Sequence, residues 1–251
     1  MSKIALVTGG SRGLGYNMAL RLAEQGHDVV ITYLNNQIEA EKLVALVQTM
    51  GRKSLALKLD LNDIKSLDDF VVKLSQSLTQ KFGTNKFDFL INNAGMGATV
   101  PFEDVTEALF DEFLNVHYKG VYFLTQKCLP LINEGGRIIN LSSGTTRFAN
   151  PGYSVYASMK GAIEIFTKYL AKELGKRRIT ANVVAPGPIE TDFNNAAIRN
   201  NPQLKTMLSN NTPLGRVGEA QDIGGVVAFL CSEDARWING QRIEVSGGIN
   251  S

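Results

Sequence analysis

The chain has 251 residues, and its 26 basic and 24 acidic side chains give a formal net charge of +2, which leaves no general electrostatic footprint for nucleic acid or an anionic membrane surface. Apolar residues at 44% and charged residues at 20% describe an ordinary globular chain, not a disordered or fibrous one. Two histidines, His27 and His117, cannot assemble an imidazole-rich metal site, and the widely separated Cys128 and Cys231 read as buried free thiols.

Compact β-branched or apolar runs alternate with helical patterns from end to end. Strands are expected at 4–7, 29–32, 54–57, 89–91, 137–141, 180–184 and 242–245, apolar enough to be covered on both faces. Helices are expected near 14–25, 36–50, 64–82, 105–132, 153–175 and 219–231. Gly26, Gly51 and Gly175 stand where helices should stop. The cations Lys168, Lys172, Lys176, Arg177 and Arg178 gather at the end of the fifth helical pattern, where the helix terminus favours them in solvent. This alternation implies an α/β fold: a three-layer, doubly wound Rossmann arrangement with a seven-stranded parallel sheet and helices on both faces.

No linker or repeat divides the chain, so 1–251 is expected to form a single domain. One segment departs from the alternation. Residues 188–215 carry six asparagines with Pro188, Pro202 and Pro213, and read as a substrate lid or as a surface insertion. The chain opens on a strand and turn rather than a signal segment, and no apolar run approaches the roughly 18 residues of a membrane span. A reduced, cytoplasmic setting is the expectation.

The first strand runs into Thr8-Gly9-Gly10-Ser11-Arg12-Gly13-Leu14-Gly15 and then a helix. A glycine-rich strand-to-helix turn lets the backbone approach a pyrophosphate that sits on the positive helix terminus. The spacing is G-x-x-x-G-x-G, neither the G-x-G-x-x-G fingerprint nor a phosphate loop ending in Gly-Lys-Ser/Thr. Dinucleotide sites for NAD place a carboxylate near the end of the second strand, yet Ile31-Thr32-Tyr33-Leu34-Asn35-Asn36 holds none. Arg12 in the turn could pair with a 2′-phosphate, or could be an ordinary solvated arginine. Missing repulsion plus an available cation point to NADP(H) over NAD(H).

Tyr156-Ala157-Ser158-Met159-Lys160 opens a helical pattern, which puts Tyr156 and Lys160 on one face. Ser142-Ser143 ends the preceding strand, at the sheet edge where ligands bind in such folds. A carbonyl that accepts hydride needs a proton donor, and a tyrosine near pKa 10 needs help to exchange protons at neutral pH. A lysine ammonium one turn away lowers that pKa, and a serine hydroxyl polarises the carbonyl oxygen.

Together these residues resemble the short-chain dehydrogenase/reductase family, over essentially the whole chain. The resemblance implies that Gly9, Ser11, Arg12, Gly13, Leu14 and Gly15 form the cofactor turn, and that Asp60 with Leu61 meets adenine. Asn92-Asn93-Ala94-Gly95 matches an element that steadies the sheet and lines the cleft. Pro186-Gly187-Pro188-Ile189-Glu190-Thr191 matches a segment whose Ile189 and Thr191 meet the nicotinamide. Asn115 resembles a helix asparagine that holds a water in a proton relay. Ser143, thirteen residues before Tyr156, is preferred over Ser142 as the polarising serine. The implied catalytic set is Asn115, Ser143, Tyr156 and Lys160, with the last two also touching the nicotinamide ribose. His117, two residues past Asn115, reads as a packed or exposed helix residue.

The resemblance further implies a homotetramer packed through 105–132, 153–175 and the last strand. It implies an oxidoreductase that moves hydride between the nicotinamide and a ketone or secondary alcohol, with a 3-oxoacyl thioester on a carrier protein as one substrate. Sugar, steroid or polyketide-type ketones are alternatives, and a non-catalytic NADP(H) sensor is a further one. A carrier protein would want a basic docking patch, for which Arg147, Arg199 and Lys205 are the candidates. Asn239 and Ser246 depart from the family's common threonine and aspartate.

Overall fold

The structure is a computed structural model that describes residues 2–250. Met1 and Ser251, the ends of the expected 1–251 domain, lie outside the described residues. The strands are β1 (Ile4–Val7), β2 (Asp28–Tyr33), β3 (Ser54–Lys58), β4 (Phe87–Asn92), β5 (Ile132–Leu141), β6 (Thr180–Pro186) and β7 (Arg242–Val245). They form one parallel sheet in the order β3-β2-β1-β4-β5-β6-β7, the doubly wound arrangement expected from the alternation.

The helices are α1 (Gly13–Glu24), α2 (Gln37–Thr49), α3 (Leu67–Phe82), α4 (Glu107–Leu114), α5 (Gly120–Cys128), α6 (Ser154–Glu173), α7 (Phe193–Asn200), α8 (Pro202–Asn210) and α9 (Ala220–Leu230). Alternating strand side chains divide between two cores. Ile4, Leu6, Val30, Leu90 and Ile138 face α3, α5 and α6. Ala5, Val7, Val29, Ile31, Ile91 and Ile139 face α1, α2 and α9. Each face is sealed from water, which is why the strands read as unbroken apolar runs.

Three details differ from the sequence-based expectation. β5 begins at Ile132, five residues earlier than its apolar core suggests, with an irregularity against β4 between Phe87 and Phe89. Gly26 and Gly51 do take positive φ after their helices, but after α6 the left-handed residue is Arg178, not Gly175. Arg177 is also not simply solvated: it donates to the Leu129 and Ile132 carbonyls and to Glu134 at 2.7 Å, clamping that turn to the start of β5.

The long pattern at 105–132 is interrupted by a π-turn over Asn115–Lys119, between α4 and α5. Such wide turns cluster at functional sites. Gly120 closes this one because its backbone runs against two carbonyls. A Cβ there would lie 2.5 Å from the Leu61 oxygen and 2.8 Å from the Asn115 oxygen. Both thiols are buried and free, and burial pushes Cys128 and Cys231 up to about 12. No helix among the described residues is long and apolar enough to cross a membrane.

Gly120→Ala should therefore destabilise the fold by about 1–3 kcal/mol, because neither carbonyl can retreat without breaking the turn. A thermal melt checks this, and an unchanged midpoint would mean that the π-turn is not held by this approach.

Candidate active site

The sheet reverses its winding between β1 and β4, and the carboxyl ends of these strands open a crevice there. Thr8 ties the two strands together. Its hydroxyl accepts hydrogen bonds from the backbone N–H groups of Asn93 at 2.9 Å and Ala94 at 3.0 Å, while Asn93 Nδ2 donates to the Thr8 carbonyl at 2.8 Å. Gly9 N–H donates to Thr32 Oγ1, so the turn also rests on β2.

The glycines leave a cradle along this turn. A Cβ at Gly15 would overlap the Gly9 carbonyl oxygen and lie 2.5 Å from Asn93 Nδ2, and one at Gly9 would lie 2.9 Å from Ala94 Cα. Bare backbone at the start of α1 fits a pyrophosphate. Leu14 packs into the core below, Ser11 is half-buried and Arg12 is exposed at the helix start. Among the described residues no carboxylate pairs with Arg12, in contrast to most lid and tail cations.

Asp60 and Leu61 follow β3. Asp60 accepts from the Asn62 N–H at 2.8 Å, which turns the chain, and Leu61 is buried against Gly120. Across the crevice, Pro186 ends β6 and Gly187 packs against Ser246, one of the two positions that depart from the family pattern. Ile189 forms a bridge with Gly218, and the Thr191 side chain lies 3.7 Å from a Cβ position on Gly13. Residues from the first and sixth crossovers thus meet over one cleft.

Three of the four expected catalytic residues converge. Lys160 is 6% exposed and donates from Nζ to the Leu141 carbonyl at 2.8 Å, with its ammonium 5.6 Å from the Tyr156 ring centre. Ser143 acts on the phenol, lowering its proton affinity, while its own Oγ accepts from the Thr145 N–H at 3.2 Å and the Thr145 hydroxyl at 3.0 Å. Ser142 points elsewhere, donating to Glu164 at 2.6 Å.

Asn115 is the exception. Its side chain donates to Asn62 Oδ1 at 3.1 Å, away from the tyrosine. The side chain that does reach Tyr156 is His117, with ring centres 5.2 Å apart in an edge contact. Residues two apart on a helical turn point to opposite sides, so the two cannot exchange roles. His117 is 1% exposed and bonds the Met96 carbonyl through Nε2 at 2.8 Å.

Burial, not the lysine, dominates the phenol. Tyr156 is pushed up to about 12 by desolvation, with Ser143 pulling the other way. The expected lowering by Lys160 is not what the chain produces, because desolvation of the phenol itself prevails; the ammonium is also desolvated and brought down to about 8. A phenol held protonated suits proton donation, as ketone reduction requires.

An aromatic wall surrounds this phenol. Phe113 and Tyr153 pack edge-on, and Phe193 from α7 stands 5.9 Å away. Ala98, Val100, Val105, Leu109 and Val155 form an apolar patch beside it around a void no larger than a water. Asn194 donates to Thr99 Oγ1 and to Tyr153 Oη, pinning the start of α7 above the tyrosine.

Comparison with known proteins places this geometry. The model of a family described as enoyl-(acyl carrier protein) reductase matches residues 9–250. The chain belongs to the short-chain dehydrogenase/reductase family. It is 38% identical to the 3-oxoacyl-[acyl-carrier-protein] reductase FabG of Staphylococcus aureus, covering 99% of this chain and 98% of that one. It is 35% identical to the hydroxynaphthalene reductase arp2 of Aspergillus fumigatus, over 95% of this chain and 89% of the relative. Among solved structures, the angucycline C-6 ketoreductase LanV with bound NADP superposes with a TM-score of 0.93 at 38% identity, covering 98% of this chain and 95% of that one.

Sequence reasoning missed the support behind the site. Glu164 accepts from Ser142, from Thr146 at 2.7 Å and from Arg242 at 2.8 Å, while Arg242 also donates to the Ser143 carbonyl at 3.2 Å. Four buried side chains, Asn92, Thr125, Asn140 and Thr167, form a second chain linking β4 and β5 to α5 and α6. Glu164 lies one turn beyond Lys160, the only trace of the first network in the sequence.

Tyr156→Phe keeps the ring contacts and should cost about 10²- to 10⁴-fold in turnover with little change in melting temperature. Parent-like turnover would remove Tyr156 from the chemistry. The lysine gives a pH test with opposite signs. Reduction should fall as pH rises through about 8, where the buried ammonium loses its proton. Because the folded lysine lies below its ordinary 10.5, the unfolded chain binds more protons between those values, so this group's contribution to stability rises over the same window.

Proposed function

We propose that this chain is an NADP(H)-dependent ketoreductase acting on ketones with an extended apolar carbon frame. The observation that carries the reading is a half-buried phenol, desolvated enough to stay protonated, with Ser143 and Lys160 beside it and an aromatic and apolar wall around it, next to a glycine cradle. When bound, the nicotinamide supplies the hydride. Gly9, Ser11, Gly13, Leu14 and Gly15 receive the pyrophosphate, Asp60 and Leu61 the adenine, and Arg12 the 2′-phosphate. Asn93, Ala94, Gly95, Pro186, Gly187, Ile189 and Thr191 border the nicotinamide. Ser143 donates a hydrogen bond to the ketone oxygen, Tyr156 delivers the proton, and Lys160 holds the ribose and the phenol in register.

The expected basic patch favours a small ketone over a carrier-borne one. Arg147 is paired with Glu244, Arg199 with Asp192 at 2.6 Å and Lys205 with Glu190 at 2.6 Å, so the neighbouring carboxylates offset the positive field an acidic partner would meet. The bicyclic and polycyclic names among the relatives agree with the aromatic wall. A 3-oxoacyl thioester is the second reading, favoured by the FabG match. Residues 188–215 serve as the lid through α7 and α8. Ile165, Tyr169 and Trp237 stand 54%, 63% and 95% exposed on α6 and near β7, the faces through which a homotetramer would pack. Sedimentation at micromolar concentration tests that assembly, and a monomer would rule it out.

Following NADPH absorbance against 1-tetralone, a tricyclic ketone and acetoacetyl thioesters tests the substrate reading. Faster turnover of the cyclic ketones is expected, and turnover of the thioester alone would favour the second reading. Arg12→Ala should weaken NADPH by about ten- to a hundredfold with little effect on NADH, as for loss of a charge-assisted hydrogen bond. Equal losses with both cofactors would remove the 2′-phosphate role.

A further inference from the structure

His117 is the buried group of the site that the reaction as described does not use. Its Nε2 lies 2.8 Å from the Met96 carbonyl oxygen and 3.3 Å from the Met96 backbone nitrogen; the shorter contact sets an oxygen against it, so we assign the proton to Nε2 and leave Nδ1 as the acceptor. Nδ1 is fully buried and has no partner in the protein. A buried acceptor left unpaired is costly, and such exceptions concentrate where a group has work to do. The ring cannot swing away to find one. Phe113 packs on it at 5.3 Å between ring centres, Tyr156 stands edge-on at 5.2 Å, and a Cβ at Gly95 would fall 2.8 Å from Cε1.

Lys160, from α6, and His117 both stand against the Tyr156 ring, at 5.6 Å and 5.2 Å from its centre, and the lysine is the charged group whose field reaches the imidazole; the α4 face contributes Phe113, and the segment after β4 contributes Gly95 and the Met96 backbone. No carboxylate acts on it. Burial first, then the lysine charge, hold His117 well below 6.5, so it is neutral across the working range. Lys160 has three ammonium protons, and one is fixed by the Leu141 carbonyl. A neutral acceptor beside a desolvated ammonium is a natural second partner for it.

We infer that His117 is a positioning residue: its Nδ1 accepts a hydrogen bond from a water that in turn accepts one from the Lys160 ammonium, and so keeps the lysine charged beside Tyr156. An imidazole acceptor with its other nitrogen anchored cannot flip into a donor, as an amide can, so it favours the charged lysine in one orientation. This inference rests on the ketoreductase reading only for its kinetic test.

His117→Phe fills the volume without an acceptor, and His117→Asn restores one. Losing one hydrogen bond to a charged group should move the basic limb of the kcat profile down by about one pH unit in His117→Phe. His117→Asn should return it towards the parent position. A limb that stays put in both variants, with only a uniform loss of kcat, would reduce His117 to packing. A second measurement needs no substrate. In ¹⁵N-histidine-labelled protein the Nδ1 resonance should report a hydrogen-bonded acceptor, and Lys160→Met should shift it towards a free one. An Nδ1 signal unmoved by Lys160→Met would overturn the inference, whatever the enzyme is found to reduce.

Discussion

A lysine ammonium kept out of water is the constraint around which the site is built. Lys160 is 6% exposed, and burial lowers its proton affinity to about 8, so the fold carries a standing electrostatic cost below that pH. The cost is tolerable only if the ammonium is held where its charge is useful. The Leu141 carbonyl at the end of β5 fixes one proton, and the first turns of α6 fix the stem. Everything near the phenol follows from that placement: Tyr156 one helical turn earlier, Ser143 just past the same strand, and the Glu164–Arg242 network bracing the serine turn.

The sheet supplies the other half of the arrangement. Its winding reverses between β1 and β4, and a threonine hydroxyl bonded to two backbone N–H groups joins these strands where they would otherwise splay. That junction holds the glycine turn against Asn93 and Ala94, with Thr191 reaching Gly13 from the far side. A polar chain of asparagines and threonines crosses the core beneath, saturating most of its own hydrogen bonds. Buried networks of this kind fix one packing of α5 and α6 against the sheet.

The strand-and-helix plan, the glycine cradle and the Tyr156–Lys160–Ser143 set were legible because each is a local pattern: apolar runs, a turn composition, a four-residue helical spacing. What was not legible depended on a change of helical phase. The π-turn at Asn115–Lys119 leaves no mark in periodicity, and it decides which side chain of that turn faces α6. Asn115 therefore went to Asn62, and His117 to Tyr156. Long-range charge pairs were equally hidden, since Glu164 with Arg242 and Glu190 with Lys205 come together only in the fold. The expected depression of the tyrosine pKa failed for a related reason: proximity of a cation was visible in sequence, but the depth of burial was not.

The chemistry proposed for this site is hydride delivery to a ketone carbon with proton delivery from Tyr156. The direct measurement is a single turnover with NADPH deuterated at the transferable C4 position and 1-tetralone, with the alcohol analysed by mass spectrometry. One deuterium on the carbinol carbon is expected with the parent protein, formed far more slowly with Tyr156→Phe. Alcohol without deuterium, or labelled alcohol formed equally fast by both proteins, would contradict it.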